Sequence, residues 1–403
     1  MAEDDKYFHS IMESAQSLIA EGGMKALSLR SLAAHSGCGM GELNYRLGKK
    51  GNIVEKILQF SASDYVKILE NFLSSSATML MNDSQSLADV IGLYLDELYL
   101  NRRKHCITWM ELSNDFALRN QWSSIIDHAN SEMRGVWQAF LSESGYEDAF
   151  HLSRLISDYL AEEIPYSITI GNLAEYRLLR TAVIRRLAEG ILKNEDSQDL
   201  QPLIQPMMQR SVFLAGRGTA RQVALAHAAA SLITEEGIAA VTHRAVAAKA
   251  KAPLSTIVHH FPTIDDLVQA ALEALFDHQW QDLSRQPEPP TVDADMFWND
   301  ELLQSLRSYH QAAFQLILAA NRRPNLVPAV CAIRGKRGQR AKKLYSGRIP
   351  PSDWDVGAVH LLSLIVSGRI FQNNCNEPVA EARSVIDQIK RYSTNIRRGY
   401  RRF

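Results

Sequence analysis

The chain has 403 residues, of which 46% are hydrophobic and 22% charged, and its formal net charge is −1. This length is enough for two to four domains, and the composition is that of an ordinary globular protein. The near-neutral charge excludes attraction of the whole protein to DNA, so any such attraction must come from a local basic surface. Residues 1–60 hold seven Lys or Arg and seven Asp or Glu, so a basic face there requires segregated charge.

The sequence also argues against a membrane span, a metal site or a cofactor. No apolar run approaches the roughly 18 residues that a spanning helix needs. The four cysteines lie far apart and form no C-x-x-C pair, which is typical of free thiols in a reducing compartment. The opening MAEDDKYFHS is acidic and polar, unlike a signal peptide. We therefore predict a cytoplasmic protein that binds no metal and no cofactor.

A long internal repeat organises the chain. Residues 15–58 and 229–272 align without a gap at an offset of 214 residues. Identical pairs include Ala15/Ala229, Leu18/Leu232, Ile19/Ile233, Gly23/Gly237, Arg30/Arg244, Ala33/Ala247, Ala34/Ala248 and Val54/Val268. The repeat is too long to be a solenoid unit, so it indicates two copies of a whole domain.

In the first copy the pattern predicts a helix-turn-helix. An amphipathic helix ends at Gly22-Gly23, and Ser28 is placed to cap a short second helix. Gly37 suits a tight turn with a left-handed backbone. A further short helix over 40–47 follows, with its apolar stripe inward. The side chains that this helix leaves exposed are Met40, Gly41, Asn44, Tyr45 and Arg46.

The second copy repeats the arrangement. Thr242 is the predicted cap, Val246 and Ala247 pack inward, and Ile257 and Phe261 anchor the second short helix. Its predicted exposed residues are Pro253, Leu254, Ser255, Val258, His259 and His260. A recognition helix needs this combination of a buried stripe for placement and an outer face that reaches base edges.

Both stretches resemble the DNA-binding domain of the tetracycline-repressor (TetR) family. VTHRAVAAKAKAPLSTIVHHFPTIDDL is the closer match to the family pattern and SLRSLAAHSGCGMGELNYRLGKKGNI the more diverged. Departures from the pattern are Lys251 in place of the turn glycine, Asn44 and Val258 in place of an aromatic residue, and Ile264 in place of the lysine that the first copy keeps as Lys50. The second copy is therefore expected to hold phosphate less tightly, and the first to differ in base preference.

Position in the two copies gives the predicted DNA contacts. Tyr45, Arg46, His259 and His260 are the leading candidates, because such side chains hydrogen-bond to bases or phosphates. Adjacent histidines on a helix point about 100° apart, so a shared metal is not expected. Lys49 and Lys50 are expected to hold phosphate. The complete predicted set is Ser28, Arg30, Met40, Gly41, Asn44, Tyr45, Arg46, Lys49, Lys50, Thr242, Arg244, Pro253, Leu254, Ser255, Val258, His259, His260 and Thr263.

The rest of the chain shows helical periodicity and no strand pattern, so the predicted class is all-α. Each helix-turn-helix copy is called a head here, and the helical region that follows it a body. Helical patterns after the first helix-turn-helix lie at about 52–73, 84–98, 103–118, 121–143, 148–168 and 173–193. Those after the second lie at about 294–320, 326–346, 353–371 and 377–396. The predicted division is a first head at 1–60 with a body at 61–193, a linker at 194–217, and a second head at 218–274 with a body at 275–403.

The resemblance implies how the bodies associate. In that family the last two body helices pair with those of a second subunit in a four-helix bundle. A chain that holds both copies can form this bundle within itself, as a pseudo-dimer with two unlike heads. Identical heads read a palindrome, so unlike heads predict an operator with two unlike half-sites. Further pairing of two chains stays open.

Several features have both a structural and a functional interpretation. Trp109, Trp122, Trp137, Trp298 and Trp354 suit an effector pocket, but core packing explains them as well. The run from Arg334 to Arg348 holds seven Lys or Arg and no acid. A solvated helix face is its default interpretation; extra DNA affinity or an anionic ligand are the alternatives.

The predicted function is a sequence-specific, DNA-binding transcriptional regulator that is a repressor relieved by a small-molecule effector. Its partners are a double-stranded DNA operator and that effector, whose binding residues the sequence does not identify. One alternative is a helical interaction scaffold whose heads no longer bind DNA. An all-helical enzyme is another, although the sequence holds no nucleophile elbow, phosphate loop or paired acid motif.

Overall fold

A computed structural model describes residues 2–47, 50–76, 84–190, 199–210, 218–285, 300–339, 355–372 and 378–399. These residues form helices joined by turns and contain no strand, which confirms the all-α class. Within the same ranges, no helix combines the length and hydropathy of a membrane span, and no cluster of three or more His, Cys, Asp or Glu side chains has metal-site geometry.

The first head begins the chain. Its helices are α1 (Ala2–Gly22), α2 (Leu29–Ser36) and α3 (Met40–Leu47), followed by the long α4 (Lys50–Ser76). Ser28 caps α2 by accepting from the Ser31 amide at 3.0 Å, as predicted. Gly37 ends α2 with a φ of 71°, the left-handed conformation that its position required.

The second head has the same layout in α12 (Ala220–Glu236), α13 (His243–Lys249), α14 (Leu254–His260) and α15 (Ile264–Arg285). Thr242 caps α13 by accepting from the Ala245 amide at 3.1 Å. Lys251, at the position of Gly37, also adopts a left-handed backbone, with a φ of 48°. The fold therefore imposes this turn even where the glycine is missing, at a backbone cost of roughly 1–2 kcal/mol.

The chain divides into two compact units, 1–157 and 158–403. Beyond the first head, the helices up to this boundary are α5 (Ser84–Asn101), α6 (Arg103–Asn114), α7 (Phe116–Gln121), α8 (Ser123–Glu143) and α9 (Ala149–Ile170), which crosses it. The single helix predicted for 103–118 is wrong, because Asp115 ends α6 and caps α7. Trp109 and Trp137 lie in the core of this unit, where Trp109 stacks on Tyr65.

The second unit holds the second head together with helices from both sides of the predicted linker. They are α9 from Asp158 onward, α10 (Ala174–Ala188), α11 (Gln201–Gln209), α16 (Asp300–Ala320), α17 (Val327–Lys336), α18 (Val356–Ser367) and α19 (Pro378–Gly399). A π-helical turn, Gly368–Gln372, follows α18. The predicted linker 194–217 thus contains a helix, α11, which buries Ile204 and Met207.

Buried ion pairs join α9 to helices that follow the linker. The fully buried Arg334 on α17 donates to both carboxylate oxygens of Glu163, at 3.1 and 2.9 Å. In two further pairs an acid on α9 again binds an Arg that follows the linker: Glu162 binds Arg337, and Asp158 binds Arg369. The solvated face predicted for the basic run is therefore wrong at Arg334 and Lys336, because both side chains are buried. The partner of Arg334 lies 171 residues away in the sequence. Residues 340–348 of the run are outside the described residues.

Candidate nucleic-acid interface

Helix α14 of the second head has one buried and one exposed face. Ile257 and Phe261 are fully buried and fix the helix against its own head. The outward residues are exposed: Pro253, Leu254, Ser255, Val258 and His259. His260 is half-buried, which corrects its predicted full exposure. Its ring lies edge-on to that of His259, with centroids 5.1 Å apart.

One hydrogen bond from α13 holds the end of α14, and another binds α13 to α12. The Nε2 atom of His243 lies 2.8 Å from the carbonyl oxygen of Phe261, so the ring donates from Nε2 to the end of α14. On the other side of α13, Lys249 donates to Glu235 of α12 at 2.6 Å, and this hydrogen bond lowers the pKa of the Glu235 carboxyl. The sequence prediction missed His243, although it directly follows the helix cap.

The stretch around α14 carries no negative charge. From Val241 to Thr263 the chain has no Asp or Glu, but it has three Lys or Arg and three His. Arg244 and Lys251 are exposed, as the approach to phosphate requires. Because Lys249 is paired with Glu235, the positive charge that this surface presents comes from Arg244 and Lys251.

The start of α15 bears on the predicted role of Thr263. Its hydroxyl donates to a carboxylate oxygen of Asp266 at 2.7 Å and accepts from the Asp266 amide at 3.1 Å. With its proton engaged in this cap, Thr263 has no hydroxyl hydrogen to offer a phosphate. Its assignment as a DNA contact stays a prediction.

In the first head, α3 buries Leu43 and Leu47 and turns its other face outward. Tyr45 is 91% exposed and Met40 is 46% exposed. Gly41, Asn44, Ser28 and Arg30 are exposed as well. The side chains of Arg46 and Lys50, and all of Lys49, lie outside the described residues.

The two outer faces differ at every matched position. At the offset of 214 residues the pairs are Met40/Leu254, Gly41/Ser255, Asn44/Val258, Tyr45/His259 and Arg46/His260. No pair is identical, whereas buried positions such as Ala33/Ala247 are. The copies thus share the scaffold of a helix-turn-helix but not its reading surface.

A different set of polar contacts connects each head to the other helices of its own unit. In the first, Asp64 of α4 lies 3.0 Å from His105 Nδ1 and accepts from Gln16 of α1 at 3.2 Å. Burial opposes ionisation of Asp64, but the hydrogen bond and charge of His105 outweigh it, and the pKa of Asp64 is lowered. In the second, the Ile238 amide donates to Gln315 of α16 at 3.0 Å.

Together these features are those of a helix-turn-helix domain, the element with which many transcriptional regulators bind DNA. The family model described as "Bacterial regulatory proteins, tetR family" matches residues 225–271, the second head. This match covers the second head alone, and there it agrees with the resemblance seen in the sequence. No curated protein matches the chain.

Proposed function

We propose that this chain is a sequence-specific repressor that reads two unlike half-sites with two unlike heads and is released by a small-molecule effector. The observation that carries the proposal is the acid-free segment Val241–Thr263, which presents the exposed face of α14. Helices α2 and α3 have the same helix-turn-helix layout at matched positions, although α3 carries Glu42. A helix with a fixed inner stripe and an exposed outer face is what major-groove reading requires.

The exposed residues fall into two roles. Arg30 and Arg244 stand at the starts of α2 and α13, where they serve as phosphate contacts that set register. Tyr45 and His259, at matched positions on the recognition helices, serve as contacts that distinguish sequence. The remaining predicted contacts of each head supplement these two roles.

Intrachain pairing is supported by the second unit. Helices α9 and α10 precede the linker, whereas α17, α18 and α19 follow it, and they pack together in one unit. The pair of Arg186 with Asp355 joins the two sets, as does the hydrogen bond from the Tyr392 hydroxyl to the Ala188 carbonyl at 3.2 Å. One chain then supplies what two subunits supply in a symmetric dimer.

The contacts between head and body support the proposal that an effector releases the protein from DNA. The Gln16–Asp64–His105 contacts tie the first recognition head to the body helices α4 and α6. A ligand that binds more tightly to a body conformation without these contacts lowers the affinity for DNA. The size of that decrease is limited by the difference in the ligand's affinity for the two conformations.

The test is selection of random duplexes with the full chain, followed by binding measurements at several salt concentrations. We expect two unlike half-sites and a Kd that rises steeply with salt. Tyr45→Ala and His259→Ala form a matched pair, and each is expected to relax preference in one half-site and leave the other intact.

Three results contradict parts of the proposal. A palindromic site means that like heads pair between chains, so the intrachain pseudo-dimer is wrong. If both alanine variants act on the same half-site, the heads do not read separately. If no duplex binds in a salt-dependent way, the regulator hypothesis is wrong and the interaction scaffold is the remaining hypothesis.

A further inference from the structure

We infer that Leu254 and Val258 of α14 read thymine methyl groups, so that the second half-site requires thymine at the positions they face. The inference rests on the proposed function and names the base chemistry of its second head. It follows from an exposed apolar stripe on a helix whose surroundings are otherwise polar and basic.

Exposure marks the stripe. Leu254 and Val258 are 43% and 44% exposed, although α14 has a fully buried inner anchor in Ile257. The two residues are four apart, so their side chains lie on the same face, with Cβ atoms about 5–6 Å apart. They form one apolar surface on the outer side of the recognition helix.

The major groove displays one kind of group that an apolar surface can contact. Neither side chain donates or accepts a hydrogen bond, so neither can bind phosphate or the polar edge of a base. The C5 methyl of thymine is the apolar group displayed in the major groove. The absence of Asp and Glu from Val241 to Thr263 favours DNA over an apolar protein partner as the occupant.

The spacing suits two bases. Successive base pairs rise by about 3.4 Å, so side chains about 5–6 Å apart face neighbouring or next-but-one positions. The first head differs at the same place, because Asn44 stands where the second has Val258. An Asn amide pairs with adenine by two hydrogen bonds, so the heads use different chemistry at this position.

The test removes only the methyl. Half-sites from the selection are assigned to heads with the Tyr45→Ala and His259→Ala variants, and each thymine is then replaced by deoxyuridine. Binding of the full chain is measured by fluorescence anisotropy at fixed salt. We expect Kd to rise about fourfold for each contacted methyl in the second half-site, the value of one buried carbon group.

Variants then connect the methyl to the side chains. Leu254→Ser with Val258→Ser is expected to abolish the uracil effect in the second half-site while the salt dependence stays unchanged. Val223→Ser is the control, because Val223 is equally exposed, at 45%, but lies on α12 outside the recognition helix. It is expected to keep the full uracil effect.

Failure of this inference and failure of the proposed function give different results. Specific binding with a second half-site that lacks thymine, or that tolerates uracil, overturns the methyl reading and leaves the regulator intact. A uracil effect that persists in the double serine variant assigns the methyl to another residue and also overturns it. Absence of DNA binding overturns both.

Discussion

Replacement of Arg334 by Met tests the interior of the second unit most directly. The Arg334 guanidinium is fully buried and binds both oxygens of Glu163, and its remaining terminal nitrogen lies 3.0 Å from His360 Nδ1. Burial disfavours this charge, but the Glu163 carboxylate outweighs it and raises the pKa of Arg334. In the variant, Glu163 keeps the Tyr176 hydroxyl at 2.8 Å but loses its counter-charge.

The magnitude follows from that stranded carboxylate. Removal of one partner of a buried pair costs roughly 3–5 kcal/mol, whereas replacement of both by apolar residues is often close to neutral. Arg334→Met is therefore expected to lose roughly 3–5 kcal/mol, and Arg334→Met with Glu163→Leu much less.

Hydrogen exchange measured by mass spectrometry reports local unfolding of α9 and α17 in the full chain. Arg210→Met is the control, because the pair of Arg210 with Glu175 is partly exposed and is worth less than about 1 kcal/mol. The reasoning is refuted if Arg334→Met changes exchange in α9 no more than Arg210→Met does. It is also refuted if the double variant is as unstable as the single one.

Three further predictions concern backbone, pH and the second head. Gly37→Ala should destabilise the first head by roughly 1–2 kcal/mol, seen by exchange, because Gly37 has positive φ and a Cβ there meets nothing within 4 Å, so only backbone strain counts. Lys251→Gly should stabilise the second head by about 0.5–1 kcal/mol, because the greater freedom of glycine in the unfolded chain offsets part of the strain that it relieves. Burial and then the Arg334 charge hold the pKa of His360 well below its usual value, so stability should fall as pH drops below about 6.5, by up to about 1.4 kcal/mol per pH unit. His360→Gln should remove that slope in urea unfolding series, and an unchanged slope would assign it to another group. His243→Leu, the residue of the first copy, should cost about 0.5–1.5 kcal/mol and speed exchange in α14 alone; uniform loss across the head would contradict a local bond.

Local signals predicted the heads well. The caps Ser28 and Thr242 and the turn at Gly37 depend on residues within a few positions, so the sequence displays them directly. The turn at Lys251 was predicted from its position in the repeat, and its backbone is left-handed although the residue is not a glycine.

Contacts between distant residues were beyond sequence reasoning. Arg334 lies in a run without acids and has the pattern of a solvated face, yet its partner Glu163 comes from a helix that precedes the linker. The contact between His105 and Asp64 spans 41 residues and has no motif. Packing alone brings such groups together, and one sequence does not record which helices pack.

The ion pairs of α9 also bear on the symmetry of the proposed pseudo-dimer. In a pair of identical chains every contact occurs twice, so an acid placed on one helix appears on its twin and needs its base in both. Here Asp158, Glu162 and Glu163 lie on α9, but α18, the corresponding helix after the linker, has no Asp or Glu. Helix α18 therefore offers no carboxylate with which reciprocal pairs could form. In the proposed pseudo-dimer, this face thus lacks the self-complementarity that a symmetric homodimer requires.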